Sequence, residues 1–286
     1  MPREADPLRT RFGSRHVMVL AVVAALGGCS SIFPDPPPDI ETLTATEIFQ
    51  TGETQLAEGN AREASRTFNE IERLYPFSQL AKRAIIMSAF ASYEAGDFAG
   101  ARASAQRYLE LYPTDEDAAY AQYLIALSYY DKIVDVGRDQ GVTRNALDEL
   151  QKVVNRYPDS DYARDAQLKI DLTRDHLAGK EMTVGRYYLK RGHYTAAINR
   201  FQTVLREYET TSQSPEALHR LVEAYLALGL EREARATALV LGTNFPGSEW
   251  YSDSFAALTG EEVIEKAGEG GLFSSLYRQI VLGEWL

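Results

Sequence analysis

The stretch from residue 185 to residue 208, GRYYLKRGHYTAAINRFQTVLREY, constrains the fold more than any other part of the chain. Small and aromatic residues recur in it at fixed spacings, namely Gly185, Tyr188, Gly192, Ala197 and Phe201. This spacing is typical of two antiparallel helices joined by a tight turn, where a small residue lets the helices approach and a glycine opens the turn. Ala197 and Phe201 are four residues apart, so they share one face of the second helix. One helix pair cannot bury this face alone, so the stretch predicts neighbouring pairs.

Neighbouring pairs can be recognised by the way their second helices end. Within the repeat region an aromatic residue stands directly before a proline at four points, which are Tyr75-Pro76, Tyr112-Pro113, Tyr157-Pro158 and Phe245-Pro246. Proline cannot continue a helix, and it disfavours helical geometry in the residue before it. In the opening stretch Glu209 takes the place of the proline. These endings predict an all-α protein, a superhelical array of about five tetratricopeptide repeats.

The repeats are unevenly spaced. Pro76 and Pro113 are 37 residues apart, whereas Pro113 and Pro158 are 45 apart, so we assign about ten inserted residues to the segment 131–145. No proline lies between Pro158 and Gly192. This predicts either one long helix or two helices with a break near Gly179.

A long element at that point would divide the array into two parts. We therefore expect five segments: a signal peptide in 1–28, a lipidated cysteine and tether in 29–41, N-terminal repeats in 42–160, C-terminal repeats with the long connecting helix in 161–259, and a tail in 260–286. The tail falls outside the repeat pattern. Its residues Phe273, Leu276, Tyr277 and Ile280 have the spacing of an apolar helical stripe.

The first 28 residues have the pattern of a secretory leader. Four arginines precede a short apolar run at residues 17–26, which is too short to span a bilayer. The run ends in Leu26-Gly27-Gly28-Cys29, which resembles the bacterial lipobox. The prediction is that Cys29 becomes the first residue and carries acyl chains; the alternative is an ordinary signal peptide. Ser30 and the four prolines that follow fit a stiff tether. The resemblance to Gram-negative lipoproteins implies sorting to the outer membrane, because the residue after the cysteine is not aspartate, so we expect an anchored protein that faces the periplasm.

Composition excludes several classes of function. A formal net charge of -11 argues against a nucleic-acid partner, and a single cysteine rules out an internal disulfide. His176, His193 and His219 show no metal-ligand spacing and no neighbouring nucleophile motif. We therefore predict no catalytic residues, no metal and no cofactor, that is, a protein other than an enzyme.

The chain is rich in tyrosine, with seventeen. Eight of them fall on predicted first helices: Tyr93, Tyr120, Tyr123, Tyr129, Tyr130, Tyr187, Tyr188 and Tyr225. In stacked repeats the first helices line a concave surface on which extended peptides bind, although at least half of these tyrosines are expected to serve as core packing. Phe77 lies in a connection. Packing on the next repeat and lining a peptide pocket are equal alternatives for its side chain.

Four segments carry a resemblance to a known family. They are RLYPFS (73–78), RYPDSDYARDA (156–166), HLAGKEMTVGRYYLKRGHYTAAINRF (176–201) and NFPGSEWY (244–251). With the lipobox and the repeats they resemble the BamD family, outer-membrane-assembly lipoproteins of Gram-negative bacteria, over roughly residues 17–258. The segment 176–201 is the most specific.

The resemblance implies a scaffold that is not an enzyme. In the family, C-terminal repeats bind a POTRA domain of the barrel protein BamA, and other Bam lipoproteins join the complex. N-terminal repeats are thought to receive unfolded outer-membrane β-barrel proteins through their C-terminal targeting segments. By motif, Arg191 and Arg200 are the BamA-binding candidates, whereas Tyr75, Pro76 and Phe77 belong to the substrate-binding end. Because Phe201 should face the core, we expect Arg200 to be exposed and free to meet a partner carboxylate.

Two alternatives stay open on the sequence. One is another periplasmic tetratricopeptide adaptor, such as a cell-division or Tol-Pal coordinator. These adaptors usually lack the lipobox and the sequence motif of segment 176–201. The other is an enzyme built on a helical superhelix, which should show a catalytic cluster that this sequence lacks.

Overall fold

The computed structural model describes residues 39–260, which form helices, turns and short connections without any strand. A short 3-10 helix at Ile40–Thr42 precedes eleven α-helices. In chain order these are α1 (Ala45–Ala57), α2 (Ala61–Leu74), α3 (Gln79–Glu94), α4 (Phe98–Leu111), α5 (Ala118–Tyr130), α6 (Gly141–Arg156), α7 (Asp161–Lys190), α8 (Tyr194–Glu207), α9 (Ser214–Ala227), α10 (Glu231–Asn244) and α11 (Glu249–Thr259). The leader, Cys29 and the tail stripe lie outside the described residues.

The helices follow one another as five pairs closed by a single helix. Each helix packs against the next along the chain, and each first helix (α1, α3, α5, α7, α9) also touches the first helix that follows it. This is the neighbour-to-neighbour packing of stacked repeats. The predicted all-α fold of about five helix pairs is confirmed, and α11 packs on both α9 and α10 at the end of the array.

Glycines make the turns within four of the five pairs. Gly59, Gly96, Gly192 and Gly229 have φ between +71° and +82° and join a first helix to its second helix. This left-handed conformation costs glycine little because it has no Cβ. Gly192 therefore opens the turn of the fourth pair, as its place in the sequence predicts.

The second helices all end in the same way. Their last residue is followed by an aromatic residue with φ near -134°, at Tyr75, Tyr112, Tyr157, Tyr208 and Phe245. The backbone N–H of each donates to the carbonyl four residues earlier. Tyr208 adopts this conformation although Glu209 follows it instead of proline. The ending therefore does not require the proline, which reinforces it in the other four repeats.

The core repeats with the turns. The positions five and nine residues after the turn glycine are buried in each pair that has one: Ala64 and Phe68, Ala101 and Ala105, Ala197 and Phe201, Ala234 and Ala238. The ring of Phe201 packs against Gly185, where an added Cβ would overlap the Phe201 ring. In the first pair Gly52 and Phe68 make the same contact. The glycine in the first helix is thus required by the aromatic ring that faces it.

The alternatives for the centre of the chain are decided in favour of one helix. α7 runs unbroken for 30 residues and passes through Gly179 without interruption. The long α5–α6 connection lies over this region: a Cβ on Gly179 would sit 3.7 Å from Val136, and Lys180 Nζ donates to the Gly137 carbonyl at 3.0 Å. Because α6 already begins at Gly141, the last five residues of the segment 131–145 belong to that helix and not to an insertion.

Candidate functional site

The face formed by the first helices carries a row of tyrosines in the N-terminal half of the array. Tyr162, at the start of α7, packs against Tyr120 and Tyr123 of α5 with ring centroids 5.3 and 5.2 Å apart. Lys169 Nζ lies 5.3 Å from the ring centre of Tyr130. We call Tyr93, Tyr120, Tyr123, Tyr130 and Tyr162 the aromatic row. All five side chains are partly buried, so each presents part of its ring to solvent.

Carboxylates fix the outer ends of two tyrosines in the aromatic row. The Tyr93 hydroxyl of α3 donates to Asp131, at the end of α5, and the Tyr123 hydroxyl of α5 donates to Asp165 of α7. Burial, and then the bond to the carboxylate, raises the pKa of Tyr93 and Tyr123 above the ordinary value. The bond from Tyr123 lowers the pKa of Asp165. At neutral pH these hydroxyls therefore stay protonated, and charge-assisted hydrogen bonds between helices hold the rings in place.

Such a surface suits an extended peptide with apolar or aromatic side chains. Tyrosine offers a large apolar body with a polar tip, and only two side-chain torsions have to be fixed on binding. Of the eight tyrosines assigned to first helices, seven are partly buried against core clusters, and Tyr187 is exposed. The expectation that at least half serve core packing is met, yet these rings also reach the surface.

Tyr75, Pro76 and Phe77 form the connection between α2 and α3. The Tyr75 hydroxyl donates to the Leu43 carbonyl at 2.6 Å, which ties this connection to the start of the first repeat. Phe77 is fully exposed. Packing on the next repeat is therefore wrong for Phe77, and the ring is available to a partner.

Arg200 and Arg191 lie in the fourth pair, on α8 and on the turn that precedes it. Phe201 is completely buried and Arg200 keeps 45% of its side chain exposed, as the helical period predicts. Arg200 is not free, however. Its Nη1 donates to Glu181 Oε2 of α7 at 3.0 Å, so a partner has to compete with this carboxylate. Arg191 is exposed and lies over the ring of Tyr187, 4.4 Å from its centre.

No group of three or more histidine, cysteine, aspartate or glutamate residues that could hold a metal ion is found among residues 39–260. His219 is buried, hydrogen-bonds with Ser254 at 2.9 Å and packs on Trp250, so it joins α9 to the closing helix α11. No helix in the described range has both the length and the apolar character needed to cross a membrane.

Sequence reasoning missed three partners in these sites. Glu181 gave no signal because its neighbour Arg200 is nineteen residues away. Asp131 and Asp165 could not be recognised either, because nothing in the sequence indicates which carboxylate accepts a hydrogen bond from a tyrosine hydroxyl. Tyr162 could have been found, because it opens a first helix four residues after Pro158 and thus falls where the face should be aromatic.

Comparisons with known proteins agree with the family that the sequence segments of the repeats resemble. The family described as YfiO, outer membrane lipoprotein, matches residues 41–240. The outer membrane protein assembly factor BamD of Caulobacter vibrioides is 46% identical over 85% of this chain and 79% of its own length. BamD of Rickettsia prowazekii is 41% identical over 83% of this chain and 93% of its own length. These names do not support the alternative of a cell-division or Tol-Pal coordinator.

Among solved structures, a thermophilic TPR protein from Thermus thermophilus is similar at 18% identity and a TM-score of 0.35, covering 75% of this chain and 99% of that one. The assignment of repeats in the present structure depends on its own helix pairing and glycine turns. The assignment of the chain to a family depends on the two relatives above 40% identity and on the family model that matches most of the array. The chain therefore belongs to the BamD family of outer membrane protein assembly factors.

Proposed function

We propose that this chain is a lipid-anchored scaffold of outer-membrane β-barrel assembly that holds an unfolded outer-membrane protein close to BamA and catalyses no covalent step. The observation that carries the proposal is the aromatic row, a solvent-accessible surface whose tyrosine rings are already held by bonds between neighbouring helices. Holding two partners on one rigid body raises their effective concentration without any further chemistry.

The N-terminal half is proposed to receive the substrate. A segment of an unfolded β-barrel protein carries aromatic and apolar side chains, and the aromatic row offers ring faces to them at little entropic cost. Phe77 supports the same role, because a large apolar side chain that is fully exposed in a connection stabilises nothing within the chain. The substrate would thus extend from Phe77 and its neighbours Tyr75 and Pro76 toward the aromatic row.

Replacing Phe77 with alanine should weaken binding of a peptide copied from the C-terminal segment of an outer-membrane β-barrel protein by about 1–2 kcal/mol, roughly 5- to 30-fold. The melting temperature should not change, because Phe77 has no packing to lose. Leu111→Ala is the matched control, since Leu111 is also exposed, beside the equivalent connection of the next repeat. Fluorescence anisotropy of the labelled peptide measures both. Equal weakening by the two substitutions would remove Phe77 from the substrate site.

The C-terminal half is proposed to bind a POTRA domain of BamA through Arg200, with Arg191 beside it. Arginine can form a two-pronged bond to a carboxylate. Arg200 is aligned for this by Glu181, which holds the guanidinium until a partner carboxylate replaces it. Arg191 is stiffened by its stacking on Tyr187. Other Bam lipoproteins are further proposed partners.

The anchor is proposed to be Cys29, acylated on the periplasmic face of the outer membrane. Replacing Cys29 with alanine should abolish labelling by a clickable fatty acid and release the protein from the membrane pellet, because several acyl chains on one residue are needed for stable anchoring. A Ser30→Ala variant is the control and should stay labelled. Lipid labelling that persists in the Cys29 variant contradicts the anchor.

A further inference from the structure

A pair of leucines on the long helix is mostly exposed in the part of the chain that the structure describes. Leu168 and Leu172 of α7 are 61% and 62% exposed, and they lie one turn apart on the same side of the helix. We call these two residues the bare face of α7. Two large apolar side chains at this spacing form the kind of surface on which another helix packs.

The length of α7 explains why this face is bare. Leu168 is seven residues before Asp175 and eighteen before Arg186, spacings that keep all three on one side of a helix. Asp175 accepts a hydrogen bond from the Ser212 N–H at 3.0 Å, just before α9, and Arg186 pairs with Glu216 of α9 at 2.7 Å. Farther toward the C-terminus this side is thus covered by α9. α9 lies beside α7 only from about Asp175 onward, so it does not cover Leu168 and Leu172.

We propose that the C-terminal tail of this same chain folds back and packs its apolar stripe, Phe273, Leu276, Tyr277 and Ile280, on the bare face of α7. The stripe has the spacing of one helical face, which matches two leucines one turn apart. The proposal is independent of the function proposed above.

The sequence of the tail does not match the second helix of a sixth repeat, and this is why we assign its stripe to another surface. Gly260 has φ +74°, like the turn glycines of the other repeats. The positions five and nine residues later, buried in those repeats, are here Glu265 and Glu269. The position seven residues earlier, glycine in the first and fourth repeats, is the exposed Asp253. The apolar stripe begins only at Phe273, beyond any helix that continued the array in register.

The tail is long enough to reach the bare face. α7 and α11 are separated by one first helix, α9, so they are about 16–20 Å apart at the usual spacing of packed helices. Along the helix axes Leu172 lies about 20–25 Å from Gly260, because it precedes the start of α9 by roughly one turn. The twelve residues 261–272 span about 40 Å when extended, which exceeds the resulting distance of about 30 Å.

The outer face of α10 is the nearest competitor, and it fits less well. Its exposed apolar residues Leu239 and Val240 are adjacent in sequence, so their side chains diverge by about 100°. They form no stripe that could match residues 273–280 over two turns. Both are also less exposed than Leu168 and Leu172.

Hydrogen exchange on the mature full-length protein in lipid nanodiscs tests the proposal. Backbone amides of residues 273–281 should exchange at least about tenfold more slowly than in an unstructured chain. Leu172→Glu should remove this protection, and the matched exposed substitution Val240→Glu should leave it unchanged. Both substitutions lie at exposed positions and should barely affect the array. Unprotected tail amides in the parent overturn the proposal, and so does protection that survives Leu172→Glu, which means another surface or the membrane holds the tail.

Cross-linking identifies which copy supplies the tail. Leu172→Cys combined with Leu276→Cys should form a disulfide within one chain under mild oxidation, seen as a faster-migrating monomer on a non-reducing gel. The pair Val240→Cys with Leu276→Cys should not. A disulfide-linked dimer from the first pair overturns the proposal in favour of a second copy, and no product overturns it altogether.

Discussion

Replacing Phe201 with alanine should lower the free energy of unfolding by about 3–5 kcal/mol, the largest stability effect expected of any single substitution in the fourth repeat. Phe201 is completely buried between α7 and α8, and its core cluster joins residues of α7, α8 and α9. Removing the ring leaves a cavity at the junction of three helices. Urea unfolding followed by circular dichroism measures the change. A midpoint equal to that of the parent contradicts the assignment of the repeat register.

Glycine substitutions in α7 provide the controls for this prediction. Gly185→Ala should destabilise the parent, because the new Cβ overlaps the Phe201 ring, and should cost far less once Phe201 is alanine. Gly179→Ala lies in the same helix with its nearest neighbour, Val136, at 3.7 Å. It should be neutral or stabilising by up to about 1 kcal/mol, because glycine is the poorer helix former. Equal effects of the two glycine substitutions would show that Phe201 does not pack against Gly185.

Reversing the charge of Arg200 should weaken the complex with the purified POTRA region of BamA by at least about tenfold, or 1.4 kcal/mol. The exposed guanidinium would be replaced by a carboxylate that faces a carboxylate of the partner. Stability should change by only about 0.5 kcal/mol, because the lost pair with Glu181 is partly exposed and screened by solvent. Calorimetry measures affinity, and thermal melting measures stability. Arg200→Lys should fall between parent and Arg200→Glu, because lysine cannot make a two-pronged bond.

The in-chain carboxylate allows an internal role of Arg200 to be distinguished from contact with the partner. Combining Arg200→Glu with Glu181→Arg restores an ion pair between α7 and α8 with its charges exchanged. If Arg200 meets the partner directly, the exchanged pair does not recover the affinity. Recovery of the affinity assigns Arg200 to alignment of the two helices. Glu181→Gln should leave the affinity equal or higher, because it removes the carboxylate that competes for Arg200.

The repeats could be located from the sequence because short-range signals set where each helix begins and ends. A glycine turn, a small residue five positions later and an aromatic ending each act over one or two helical turns, so their spacing could be read directly. The choice between one helix and two around Gly179 could not be made in this way. It depends on the α5–α6 connection, which is distant in sequence and lies over α7 at that point.

The sequence named candidate residues for the proposed sites, but it did not indicate the residues of the chain with which they pair. Phe77 and Arg200 could be named from motifs. The exposure of Arg200 followed from the helical period, whereas packing on the next repeat stayed an equal alternative for Phe77 until the structure placed its ring in solvent. The Glu181–Arg200 pair and the Tyr123–Asp165 bond join residues 19 and 42 positions apart. Contacts of this range depend on how the repeats stack, and the order of residues along a single helix carries no record of them.

α7 sets a fixed length within the molecule. Its 30 residues correspond to about 45 Å of continuous helix, with Tyr162 of the aromatic row near one end and the Arg191 turn at the other. A rod of this kind has no loop at which its two ends could swing, so the separation of the proposed peptide site and the proposed POTRA site is built into the chain. Because α7 fixes the distance between the two proposed sites, BamA and the substrate would have to move to match that distance.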